Sequence, residues 1–128
     1  MAKRIDLSGA WKVKVSQRIK KKKINYEIDC NLSQQGDLII GELIYDLKRI
    51  DYTFKSELKK SRKAYINMNG QIRGNQIHLH YDNRRRKVNQ FGSFVLDIKS
   101  PDELRGRFVG NGPESGGLIT GRVRFRRV

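Results

Sequence analysis

Leu104-Arg105-Gly106-Arg107-Phe108 and Ile119-Thr120-Gly121-Arg122-Val123-Arg124-Phe125-Arg126 decide the fold class. In both stretches arginines alternate with apolar or glycine residues. A period of two describes β-strands with one apolar face and one arginine face. Strands this close in sequence pair with each other, which puts Arg105, Arg107, Arg122, Arg124 and Arg126 on one patch of surface. Like charges facing each other across a strand pair are destabilising. Such a patch therefore points to an anionic partner.

The same period runs outward from these strands to the rest of the chain. Trp11, Val13 and Val15 alternate with Lys12 and Lys14, and Ile24, Tyr26, Ile28, Cys30 and Leu32 alternate with Asn25, Glu27, Asp29 and Asn31. Gln35-Gly36-Asp37 signals a turn. Leu38 to Tyr45 is an apolar run with Gly41 at a bend or close approach. Ala64 to Ile72 leads through an Arg73-Gly74-Asn75-Gln76 turn to Ile77, Leu79 and Tyr81, and Phe94, Leu96 and Ile98 precede the arginine strands. Pro101 and Pro113 fall in loops. Eight or nine short strands with regular turns predict an all-β, single antiparallel meander barrel. Lys48 to Lys63 leaves the count open. As a strand, with Ile50, Tyr52, Phe54 and Leu58 in period two, it makes nine strands. As a helix or lid it leaves eight, and the barrel closes antiparallel.

Composition bounds the partners. The 128 residues suit one domain, 1–128, burying roughly two thirds of its unfolded surface. Net charge is +15, which favours nucleic acid, an anionic membrane surface or a phosphorylated ligand over any cationic partner. Cys30 is the only cysteine, so no intramolecular disulfide forms, and its position on an apolar face predicts a buried, inert thiol. Met1 to Asp6 has no apolar h-region, and no run reaches the roughly 18 apolar residues of a membrane span. The expected compartment is the cytoplasm.

Two sets of residues carry resemblances. Ser8-Gly9-Ala10-Trp11-Lys12-Val13 resembles the G-x-W opening of calycin-type barrels, the group holding lipocalins, fatty-acid-binding proteins and avidins. A longer series comprises Asp6 to Trp11, Leu32-Ser33-Gln34-Gln35-Gly36, Ile77 to Asn83, Gly92-Ser93-Phe94-Val95-Leu96 and Leu104 to Phe108. It resembles the β-strand-rich barrel of membrane effectors in bacterial cyclic-oligonucleotide antiphage signalling (CBASS). The resemblance implies a barrel that senses a cyclic dinucleotide. In that family two transmembrane helices precede the barrel. This sequence shows neither helix, so membrane disruption is not implied. The matched motifs are barrel turns and core positions, so no binding residue is transferred.

Catalytic chemistry finds little support. His78 and His80 fall opposite Ile77, Leu79 and Tyr81, which predicts two solvated histidines rather than a metal pair. The thirteen acids are scattered, Ser93, Ser115 and Thr120 lack a nucleophile elbow, and the glycines from Gly106 to Gly117 form no phosphate loop. We therefore expect a non-enzyme with no cofactor and no metal. Lys12 and Lys14 face the same way as Glu27 and Asp29, an exposed charge ladder. Lys20-Lys21-Lys22-Lys23 and Arg84-Arg85-Arg86-Lys87 are basic loops, and Lys59, Lys60, Arg62 and Lys63 are a third cluster. On the arginine strands only Asp97 is an obvious neighbouring counter-charge, and arginine matches phosphate bidentately.

Trp11, Tyr26, Phe94, Phe108 and Phe125 lie on core parity. Tyr26, Tyr45, Tyr52 and Tyr81 each need a hydroxyl partner if buried, so they are candidates for lining a polar pocket that stacks a base. Tyr26 leaves the Lys20–Lys23 loop and Tyr45 ends a later strand, which a meander brings to one barrel mouth, with Lys22 as a candidate for ligand phosphates. Three functions follow. The first is binding of an anionic, phosphate-bearing small molecule, with a cyclic dinucleotide among the candidates. The second is nucleic-acid binding by the outer arginine face, and the third is contact with an acidic protein. An enclosed cavity with tyrosine and arginine inside marks the first. A filled interior under a continuous basic surface marks the second.

Overall fold

A computed structural model describes residues 5–19, 21–46, 63–85, 89–111 and 118–128, with the side chains of Ile19, Lys22 and Asp46 outside the described set. The strands are β1 (Gly9–Ile19), β2 (Lys22–Gln35), β3 (Leu38–Asp46), β4 (Lys63–Arg73), β5 (Gln76–Asn83), β6 (Phe91–Ser100), β7 (Glu103–Asn111) and β8 (Leu118–Arg127). Each pairs antiparallel with the next, and β8 returns to β1 to close an eight-stranded barrel in pure meander order. The wall runs directly from β3 to β4, through the pair Asp46↔Lys63. The nine-stranded alternative is thereby removed. Residues 47–62, with Tyr52, Lys59, Lys60 and Arg62, lie outside the described residues, as do Arg86, Lys87 and Pro113.

Alternation does what the sequence requires. β5 alternates exposed and buried residues without a break. His78 and His80 face out while Ile77, Leu79 and Tyr81 face in. Closure removes every free sheet edge, the usual aggregation liability of a strand-rich chain. Two devices allow the tight geometry. Gly74 takes φ 58° in the two-residue turn between β4 and β5, a backbone state that glycine reaches without strain. A Cβ at Gly41 would lie 2.6 Å from the Asn31 carbonyl oxygen, so this is the close approach expected there.

The barrel has two unlike ends. One holds Leu7, Trp11, Ile39, Ile77, Leu96, Leu104 and Phe125, all fully buried. Trp11 donates its indole Nε1–H to the Leu7 carbonyl at 2.8 Å. The Arg127 guanidinium lies 4.6 Å from the centroid of the Trp11 ring. It also donates to the backbone carbonyls of Ser8, Asp6 and Pro101 at 2.8, 2.8 and 2.9 Å. Cys30 sits in the core, where burial first and the Glu42 charge second push its thiol pKa up. Such a thiol is inert as a nucleophile.

Candidate functional site

The opposite end of the barrel is polar. Tyr26 on β2 and Tyr45 on β3 meet there, their ring centroids 5.8 Å apart. This is the convergence that strand order demands, because β2 starts where β3 finishes. Tyr81 on β5 joins them inside the same end and packs on Phe94 with centroids 5.0 Å apart. Its hydroxyl occupies space vacated by two inward-facing glycines. Cβ atoms at Gly92 and Gly110 would fall 2.6 and 2.4 Å from that oxygen. Tyr52 belongs to the residues outside the described set.

Two amides complete the cluster. Gln17 and Asn83 are the buried polar residues among the described ones. Tyr26 donates its hydroxyl to Gln17 Oε1 at 3.3 Å, and Asn83 Nδ2 donates to Gln90 Oε1 at 2.9 Å. Sequence reading missed both amides, yet the signal was present. Gln17 continues the inward series Val13, Val15, and Asn83 continues Leu79, Tyr81. A buried polar residue on core parity is the informative exception to apolar interiors. Burial pushes the pKa values of all three tyrosine hydroxyls well up. For Tyr26 a hydrogen bond donated by Tyr45 works in the opposite direction. The cluster therefore presents neutral hydroxyls and the Gln17 amide to the edge of a polar ring, while Asn83 is engaged by Gln90 and accepts from the Arg85 backbone N–H.

Cations stand on the rim of this mouth. Arg18, Lys21 and Lys23, from the β1–β2 hairpin, are all exposed. Lys21 is held at φ 67°, a left-handed conformation that costs a side-chain-bearing residue about 1–2 kcal/mol. Lys22 opens β2 opposite Ile19, and its side chain lies outside the described residues. Arg84, from the basic loop after β5, is turned to the outer wall, where it pairs with Glu42 at 2.6 Å and lies 5.0 Å from the Tyr65 ring centroid. Arg105, Arg107, Arg122, Arg124 and Arg126 do not reach the tyrosines, because strand parity sends those guanidiniums to the other face of the wall, and Arg127 lies at the opposite end over Trp11.

That outer face is the second candidate surface. Arg105 stands opposite Arg124, Arg107 opposite Arg122, and Lys14 and Lys12 opposite Arg124 and Arg126. The expected charge ladder is present, with Lys12 paired to Asp29 and Lys14 opposite Glu27. The expectation that Asp97 alone balances the arginines is corrected. Glu103 accepts from Arg124 at 2.7 Å, lies 2.9 Å from Arg105 and reaches Arg126 at 4.0 Å. Asp97 faces Arg105 in register but accepts from Gln76 Nε2 at 3.1 Å. The hydrogen bond from Arg124 is the first cause holding the Glu103 carboxyl below its ordinary pKa. Among the described residues no carboxylate pairs with Arg107 or Arg122.

A depression of about 760 Å³ runs across this face. Its floor is the backbone of Gly106 and of Val123, Val15 and Tyr26, whose side chains point inward. Arg105, Arg124, Lys14 and Glu27 form one wall, and Arg122, Ser16 and Asn25 form the other. A second depression of about 410 Å³ continues it over Arg107, Val95 and Asp97.

The described residues contain no group of His, Cys, Asp or Glu able to hold a metal ion, and no helix long and apolar enough to cross a membrane. No protein-family model matches the chain, and no curated protein matches it. A solved structure described as EF1p2_mFAP2b bound to DFHBI shares the fold, with a TM-score of 0.70 at 8% identity. The likeness covers 95% of this chain and 94% of that one. The chain is thus a calycin-like eight-stranded barrel.

Proposed function

We propose that this protein is a non-catalytic barrel that binds a small anionic molecule at its tyrosine-bearing mouth. The ligand class is one that joins a flat polar ring to a phosphate, such as a cyclic dinucleotide. The convergence of Tyr26, Tyr45 and Tyr81 with Gln17 and Asn83 inside one end carries the proposal. A core needs no such group of hydroxyls and amides, and the other end of this barrel is built without one. The rings supply stacking faces, worth roughly 1–3 kcal/mol per base. The Gln17 amide and the hydroxyls supply edge hydrogen bonds. Lys21 and Lys23, exposed on the hairpin above, supply charge for the phosphate.

A likeness of fold and a resemblance read from the sequence alone favour this reading. The solved barrel of the same fold is bound to DFHBI. The barrel turns and core positions resemble those of cyclic-nucleotide-sensing CBASS effectors. Calorimetric titration with mononucleotides and cyclic dinucleotides tests the proposal. Heat is expected with wild type. It should weaken at least ten-fold both in Tyr26→Ala and when Lys21, Lys22 and Lys23 are replaced together by Gln. Tyr45→Phe, which keeps the ring, guards against loss by misfolding. Silence across the whole nucleotide panel overturns the proposal.

A further inference from the structure

We infer that the outer trough across β2, β1, β8 and β7 binds single-stranded nucleic acid through its sugar–phosphate backbone. This surface lies on the other side of the barrel wall from the tyrosine mouth and is independent of it.

The argument starts from charge. Arg107 and Arg122 face each other directly, and no described carboxylate pairs with either. Two guanidiniums opposed across adjacent strands repel. A phosphate placed between them turns that repulsion into two charge-assisted contacts. The carboxylates of the face are at the margins of the trough. Glu27 lies at one end, Asp97 at the other, and Glu103 beneath Arg105 and Arg124. Glu103 draws both of those guanidiniums toward one side chain, which orders them along the wall. The centre stays positive and the ends are marked by negative charge.

Shape then selects the partner. The two walls are rows of outward residues on the same strands, two positions apart, hence separated by roughly 6–7 Å. That is the width of one extended chain. It is too narrow to seat a duplex, and a walled trough is the wrong form for a flat bilayer. A phosphate chain also matches the side chains better than an acidic peptide does, since the planar guanidinium forks are spaced along one track. Apolar surface lies beside the cations. Val95, 45% exposed, stands opposite Arg107, and Phe91 and Val109, each 48% exposed, share the outer face of β6 and β7. A basic track flanked by exposed apolar and aromatic side chains suits a strand whose bases turn toward the protein without being read.

Fluorescence anisotropy with a labelled oligothymidylate across a salt series provides the test. Wild type should bind at low salt, with affinity falling steeply as salt rises. Arg107→Gln combined with Arg122→Gln should weaken low-salt binding at least ten-fold. It should also reduce the slope of log affinity against log salt by about 0.7, the value for one lost phosphate on a single strand. Unchanged Trp11 emission shows that the double variant is folded. Tyr45→Phe should bind the oligonucleotide as wild type does, which separates this site from the mouth. Equal affinity of the double variant and wild type overturns the inference. So does tighter binding of a duplex of the same length, or displacement of the oligonucleotide by polyglutamate at equal charge concentration.

Discussion

Arg127→Ala should destabilise the barrel by about 3 kcal/mol, although its neighbour Arg126→Ala should change stability by less than about 0.5 kcal/mol. Both are strand-end arginines, and only their surroundings differ. The Arg127 guanidinium donates to three backbone carbonyls, pairs with Asp102 at 3.0 Å and covers the Trp11 ring. A charged hydrogen bond is worth roughly 1.5–3 kcal/mol when shielded and less when wet. Only the bond to the Ser8 carbonyl is partly buried, so the other two count for a fraction of that value. The Asp102 side chain is 74% exposed, which leaves that ion pair near the bottom of the surface range. The cation–π contact adds about 1 kcal/mol. Arg126, by contrast, is 58% exposed and touches Glu103 only at 4.0 Å. For a domain of this size a loss near 3 kcal/mol lowers Tm by roughly 10 °C. Thermal unfolding followed by Trp11 fluorescence measures it. A shift below about 3 °C in Arg127→Ala, or equal shifts in the two variants, refutes the view that this guanidinium closes the apolar end.

Other outcomes follow from the polar groups. Half-buried Tyr26 and Tyr45 and buried Tyr81 have hydroxyl pKa values raised in the folded state, so their contribution is present below the unfolded tyrosine pKa of about 10 and is lost as pH rises through the folded values. Phenolate absorbance from these three should appear only with alkaline unfolding, and a smooth titration in the folded protein would contradict it. Glu103 has a lowered folded pKa, so its contribution is present above the ordinary glutamate value and is lost as pH falls through the folded one. Glu103→Gln should therefore flatten the acid limb of the stability profile, and an unchanged limb would refute the assignment. Lys21→Gly should raise stability by about 0.5–1 kcal/mol, because glycine reaches φ 67° without strain at some cost in unfolded-chain entropy. Denaturant unfolding that shows no gain would refute that strain.

The wall of this barrel was legible in the sequence because strand alternation is local. Each side chain's face is set by its parity, so Arg105, Arg107, Arg122, Arg124 and Arg126 are assigned outward, and Trp11, Phe94, Phe108 and Phe125 inward, without any long-range knowledge. The meeting of Tyr26 and Tyr45 was legible too, since a meander brings the start of one strand beside the finish of the next. Tyr81, Gln17 and Asn83 needed more. Their parity marks them as inward, but the height at which each sits along the barrel depends on register, which accumulates across all eight pairings. Tertiary structure decided that eight strands and not nine close the expected barrel, so that β8 meets β1 antiparallel and Lys14 joins the arginine rows to make a trough. It also decided which of the outward arginines meet in one trough and which of the inward rings meet at one mouth. Glu103 and Arg127 show the same division: both sit at strand ends, where parity weakens and three-dimensional neighbours choose the partner. Sequence determines which way a side chain faces, because that depends on adjacent residues. Only closure determines what it faces.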